Sequence, residues 1–189
     1  MTETAQHRSM AQLEAGLDDV RRSPKDEGTL QLIVRRPQRL ERELVDEGTL
    51  DVDAGLVGDN WLTRGSTGTP DGSADPELQI TLMNSRVADL VAGSRERWHL
   101  AGDQLFVDMD LGRTNLAPGT RLAIGTAVLE VSAKPHNGCA KFSGRFGADA
   151  LRLVVSEAGQ ELCLRGINAK VVQSGGVRVG DAVRKLGAA

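Results

Sequence analysis

Between residues 9 and 22 the apolar side chains Met10, Leu13, Leu17 and Val20 recur at spacings of three and four. That spacing lines one face of a helix, and Pro24 stops it. The pattern predicts an N-terminal helical extension over residues 1–25, packed on the rest of the chain or on a second copy, with residues 26–189 forming one domain. Beyond Pro24 the period shortens. Residues 28–37 carry apolar and β-branched side chains into Pro37, as a strand does at its end, and residues 78–83 alternate as a second strand before a short helical turn at 86–90. From Gln104, Leu105, Val107 and Met109 alternate against Phe106, Asp108 and Asp110. Residues 121–132 read as a hairpin that turns at Ile124-Gly125-Thr126. A helix is expected over 147–157, then two closing strands over 162–172 and 177–186 joined by a turn at 173–176.

Many short strands with few helices predict a mainly β (α+β) chain, an irregular β-barrel with a few peripheral helices, rather than a βαβ fold. The word Asp-Glu-Gly-Thr-Leu occurs at 26–30 and again at 46–50, but the likeness goes no further, so both copies read as strand-entry turns and not as a repeat. Residues 63–77 hold Gly, Ser, Thr, Pro and Asp without a large apolar side chain, and predict a mobile surface loop.

Composition narrows the function. At 40% hydrophobic, 189 residues can close one core without metals or bridges. The 23 Lys and Arg against 26 Asp and Glu give a net charge of −3, which attracts neither nucleic acid nor an anionic membrane overall. An anion would need a local patch. Aromatics are 3% and tyrosine is absent, which leaves few stacking platforms for nucleic acid. Two cysteines are too few for a disulfide scaffold, no run approaches the length of a membrane span, and residues 1–24 have no apolar signal core. The expectation is a cytoplasmic protein with reduced thiols.

Chemistry concentrates at residues 135–142, Pro-His-Asn-Gly-Cys-Ala-Lys-Phe. Asn137-Gly138 is a turn pair that would present Cys139 on a loop, and Lys134, His136, Lys141 and Arg145 could hold it as a thiolate. Such a thiolate can be a nucleophile, carry a persulfide or ligate a soft metal; a small buried core thiol is the competing reading. His136, three residues away, is the candidate base, or else a turn histidine. Cys163 sits between leucines in a predicted strand and reads as core. No histidine pair has ligand spacing for zinc, and neither G-x-x-x-x-G-K-[ST] nor G-x-G-x-x-G after a strand occurs. Arg64, Arg86, Arg145, Lys170 and Arg178 lie at loops and strand ends, where a barrel could gather some of them around an anion; otherwise they are solvated.

These residues resemble the MOSC family, named after the C-terminal domain of molybdenum cofactor sulfurases. Gly55-Leu56-Val57-Gly58-Asp59 is similar to its early G-L-x-G-D, Gln79-Ile80-Thr81-Leu82 to its Q-V-T-L strand, and 116–131 with Cys139-x-Lys141 to its cysteine segment. Arg165-Gly166-Ile167-Asn168-Ala169 and Val177-Arg178-Val179-Gly180-Asp181 resemble the end of a small stand-alone member. The likeness spans about residues 32–186. It implies a MOSC barrel in which Cys139 binds the molybdenum of a pterin dithiolene cofactor or carries sulfur to it. Lys141, Arg145, Asn168, Arg64 and Arg86 are then the candidates to bind the molybdenum cofactor. Related members reduce N-hydroxylated compounds such as amidoximes and hydroxylaminopurines. Lacking a flavin, haem or iron–sulfur motif, a reductase of this kind would draw on a separate electron-donor protein. The alternative is a non-catalytic carrier that passes cofactor or persulfide sulfur to an accepting protein. A third possibility is a MOSC fold that has lost the cofactor. Pyridoxal phosphate, mentioned for the family, belongs in the sulfurases to a separate domain. Two positions depart from the family pattern: residues 97–103 stand where R-R-N-I is usual, and Asn137-Gly138-Cys139 replaces P-C.

Overall fold

The computed structural model describes residues 7–188; the first six residues of the predicted N-terminal extension lie outside them. In chain order the elements are α1 (Met10–Ala15), α2 (Leu17–Arg21), β1 (Glu27–Arg35), β2 (Glu43–Val45), β3 (Glu47–Asp51), β4 (Gly55–Leu56), α3 (Trp61–Arg64), β5 (Ile80–Asn84), α4 (Ser85–Ala92), β6 (Leu105–Asp108), β7 (Thr120–Ile124), β8 (Ala127–Pro135), α5 (Ala140–Phe146), α6 (Ala148–Val155), α7 (Glu157–Glu161), β9 (Ile167–Gln173), β10 (Gly175–Arg178) and β11 (Ala182–Ala188). Short 3₁₀ turns cover Pro76–Leu78 and Arg95–Ala101.

Seven strands close a barrel in the order β1-β6-β5-β9-β8-β7-β11, with β11 returning to β1 through Gly28 opposite Val183. Only β5 and β6 run parallel, because α4 and the Arg95–Ala101 turn carry the chain back between them. The β10-β3-β4 ribbon forms a second, small sheet.

Strand alternation divides the apolar residues between two cores. Leu82, Leu105 and Val107 point into the barrel with Leu30, Ile33, Leu122, Leu129 and Val183, while their neighbours Met83 and Phe106 face outward. That outer face is covered by helices, so Met83 and Phe106 pack with Leu13, Val87, Phe142, Phe146 and Leu153. β5 is therefore buried at every position, and its sequence shows no polar face.

The barrel agrees with the mainly β expectation, and the departures from the predicted elements have local causes. The helix expected over 9–22 is two helices that break at Gly16, where a Cβ would come within 2.3 Å of Leu90 on α4. The helix over 147–157 divides into α6 and α7 at Ser156, whose hydroxyl accepts from the Gly159 amide as a cap. The strand expected over 162–172 begins only at Ile167. Cys163 takes a left-handed backbone, φ +49°, and its carbonyl accepts from the Gly166 amide to close a turn, so it is not a strand residue. The last predicted strand is split at 179–181 between the ribbon and the barrel. The polar loop 63–77 is pinned at its end, where Asp75 caps the Pro76–Leu78 turn and its carbonyl accepts from the Trp61 indole.

Gly166 starts β9 at φ +104°, and a Cβ there would lie 2.2 Å from the Leu82 carbonyl oxygen. Neither the backbone angle nor the neighbouring strand can yield cheaply. Gly166→Ala is expected to cost about 2–4 kcal/mol of unfolding free energy, read from the midpoint of urea denaturation, whereas Gly144→Ala, with ordinary helical backbone and no atom within 4 Å, should cost far less.

Candidate functional site

β8 leaves the barrel at Pro135, and residues 136–138 carry the chain to Cys139, which precedes the first turn of α5 and is exposed. The helix is held by Phe142 and Phe146, both buried and meeting edge to face at 5.0 Å. Lys141 and Arg145, four apart, share another face. Cys139 thus stands on an anchored element beside two cations.

It opens on a cavity of about 620 Å³. Six arginines (Arg36, Arg39, Arg42, Arg64, Arg145 and Arg165) and Lys141 line this cavity, together with His136, Asn137 and Asn168, and no carboxylate among the described residues does. The chain's net negative charge gives no hint of this concentration. Two of the arginines are braced from behind. Asp59, whose side chain is fully buried, accepts from Arg36 through Nε at 2.7 Å and Nη2 at 2.9 Å, and Asp103, buried throughout, accepts from Arg165 Nη1 at 2.7 Å. Arg165 also lies over the Phe142 ring at 5.1 Å. The remaining braces are carbonyls. Leu100, Ala101 and Gly102, at the end of the 3₁₀ turn, accept in succession from Arg145 at 2.6 Å, Arg165 at 3.1 Å and Arg36 at 3.1 Å. The residues that stand in place of R-R-N-I therefore supply acceptors to three cavity arginines, and Arg97 itself donates to the Arg145 carbonyl at 2.9 Å.

Arg39, Arg42, Arg64, Lys141 and Arg145 have no carboxylate within ion-pair distance among the described residues. Burial, then the nearby Arg145 and Arg36 charges, pushes the Arg42 pKa below its ordinary value; burial and Arg36 do the same to Arg64. A set of desolvated, mutually repelling cations is stabilised by an anion placed among them.

His136 is 16% exposed and lies at the cavity wall with Nδ1 3.3 Å from Asp103 Oδ1, a close approach in which neither atom forms a hydrogen bond. Burial, aided by the Arg165 charge and opposed by Asp103, pushes its pKa down to about 4, so the imidazole is neutral at pH 7. Asn168 is buried, with its amide donating to the Lys134 carbonyl at 3.1 Å.

Of the residues singled out from the sequence, the fold gathers Cys139, His136, Lys141, Arg145, Asn168 and Arg64 around one cavity. Arg86 is a correction. It sits on α4 and is committed to Asp108 at 2.7 Å and to Asp19, so it does not line the site. Lys170 pairs with Glu77 and Glu130, and Arg178 with Glu47. Sequence reasoning missed Arg36, Arg39 and Arg42, although four arginines in the eight residues 35–42, immediately after a strand, were a readable signal. Asp59 lay within a quoted motif without a role; its function as a brace needs a partner 23 residues away.

The family model for the MOSC domain matches residues 76–184, more than half of the chain. The chain belongs to the MOSC domain family. A comparison with curated proteins gave no match. Among solved structures, this MOSC chain is similar to the YuaD protein of Bacillus subtilis, at 16% identity over 83% of this chain and 94% of that one, with a TM-score of 0.63. It is also similar to YiiM of Geobacillus stearothermophilus (14% identity, 85% and 75% covered, TM-score 0.58) and YiiM of Escherichia coli (19%, 84% and 69%, 0.53). At these identities the likeness is one of fold. No helix among the described residues is long and apolar enough to cross a membrane.

Because the His136 pKa is depressed, the folded state binds fewer protons than the unfolded chain between about pH 6.5 and about 4. Its contribution is complete above pH 6.5 and lost as pH falls to 4. That contribution is expected to be about 3 kcal/mol and should vanish from the difference between wild type and His136→Gln in urea titrations across this window. In ¹⁵N-edited spectra at pH 7, the ring should carry its proton on Nδ1, facing Asp103; a proton on Nε2 would contradict this arrangement.

Proposed function

We propose that this MOSC protein binds a molybdenum pterin cofactor at the cationic cavity, with Cys139 as the metal thiolate, and reduces small N-hydroxylated compounds. The observation that supports this most is the pairing of an exposed thiol with five cations that lack carboxylate partners around one cavity. The donors suit such a group. A thiolate is a soft ligand, and guanidinium groups recognise phosphate oxygens with two parallel hydrogen bonds.

The bound group would supply two-electron chemistry at the metal. The chain's own residues do the rest. Cys139 Sγ would hold the metal at the start of α5, an element anchored by Phe142 and Phe146. Arg39, Arg42, Arg64, Lys141 and Arg145 would balance the phosphate charge. Arg36 and Arg165, already neutralised by Asp59 and Asp103, shape the wall rather than compete for it. His136, neutral at pH 7 and with Nδ1 facing Asp103, offers the cavity an uncharged polar group for orienting a substrate, while the protons that N–O cleavage consumes come from solvent water. Electrons would come from a separate donor protein, in the cytoplasm.

The alternative, a carrier that hands cofactor or persulfide sulfur to an accepting protein, draws on the exposure of Cys139, which leaves its sulfur within reach of a partner. One set of measurements separates the two. Protein purified from a cofactor-producing host is assayed for molybdenum, pterin and reduction of an N-hydroxylated substrate by a chemical electron donor. Near-stoichiometric metal with turnover is expected, and Cys139→Ala should lose at least tenfold of both, while Cys163→Ala keeps its metal. Wild-type protein with neither metal nor turnover would overturn the reading, and persulfide on Cys139 without metal would favour the carrier.

A further inference from the structure

The segment 135–137 lines two cavities. Beside the cationic one lies a second space of about 450 Å³, bounded by the end of β8, the loop 113–118, the end of α6 and the turn before β9. Pro135, His136, Asn137, Arg165 and Asn168 line both cavities. The two differ in character. The second is walled by Leu116, Val131, Val154, Val155 and Ile167, in the size range of small-molecule sites.

Its charged lining side chains are all cations: Arg113, Lys134 and Arg165. Lys134 is paired with Asp75 and Arg165 with Asp103, which leaves Arg113 as the lining cation without an ion-pair partner among the described residues. Arg113 lies beside the Cys163 thiol, whose pKa burial pushes up. That thiol is held toward the cavity by the left-handed turn already described, a conformation that a non-glycine residue keeps only where its surroundings enforce it. An apolar chamber with one free positive charge complements a specific chemistry.

We propose that this second cavity binds a small organic monoanion, a compact apolar body with one carboxylate-like group directed at Arg113. A polyphosphate or other multiply charged ligand is better served by the five unpaired cations across the wall, and an amine is repelled from both. That the bound anion is the substrate of the site beside it rests on the function proposed above; the ligand class does not.

The test uses the full chain carrying Cys139→Ala, so that its result is independent of metal content. Benzoate is the probe, with benzylamine as the same ring bearing the opposite charge and acetate as the charge without the ring. Benzoate is expected to shift the methyl signals of Leu116, Val131, Val154 and Ile167 saturably and to slow alkylation of Cys163 at least tenfold. Arg113→Ala should weaken both effects at least tenfold, and benzylamine and acetate should produce neither at the same concentration. Equal effects of benzoate and benzylamine, saturable shifts confined to the cationic cavity, unaltered binding in Arg113→Ala, or no saturable shift at all would each overturn the proposal.

Discussion

Cations that face one another across a small cavity repel, and removing them from water costs more still. The site exists because that cost is met from behind. Asp59 and Asp103, neither of them exposed, each take one guanidinium, and three consecutive carbonyls take the hydrogen bonds that water would otherwise supply. Arg36 and Arg165 can then be buried without presenting net charge, while Arg39, Arg42, Arg64, Lys141 and Arg145 keep theirs for a ligand.

The barrel makes this possible by having two cores. Because β5 and most of β6 are buried on both faces, helices must cover the outer face, and the covering of Phe106 and Met83 by Phe142 and Phe146 is what fixes α5. Cys139 inherits its place from that packing. The same strands fill the barrel with Leu82, Leu105 and Val107, so the site's frame and the main core are two sides of the same strands.

Much of this could be read along the chain, and what could not has a physical explanation. Alternation at 104–110 revealed a strand, and Cys139, Lys141 and Arg145 were found together because one short helix presents them. Barrel closure was invisible, since it joins Gly28 to Val183 across nearly the whole length. The leucines around Cys163 do alternate in their packing, with Leu162 and Leu164 against the helical core and Cys163 against the barrel. The backbone there is nevertheless a left-handed turn, which side-chain pattern alone does not report. Asp103 carried no role beyond closing the stretch 97–103, because its partner Arg165 is 62 residues away, and Arg36 lay at the end of an expected strand with Arg39 and Arg42 unassigned beyond it.

The run of carbonyls at Leu100, Ala101 and Gly102 has a wider implication. Arg36, Arg145 and Arg165 come from three distant stretches of the chain, yet each takes its bearing from the next rung of one short ladder. Their spacing in the cavity is therefore set by the rise of a single 3₁₀ turn, and not by three independent loops. A slip of one residue in that turn would re-aim all three at once, which makes this stretch a shared ruler for the site: tolerant of changes in side chain, as its departure from the family pattern illustrates, and intolerant of changes in length.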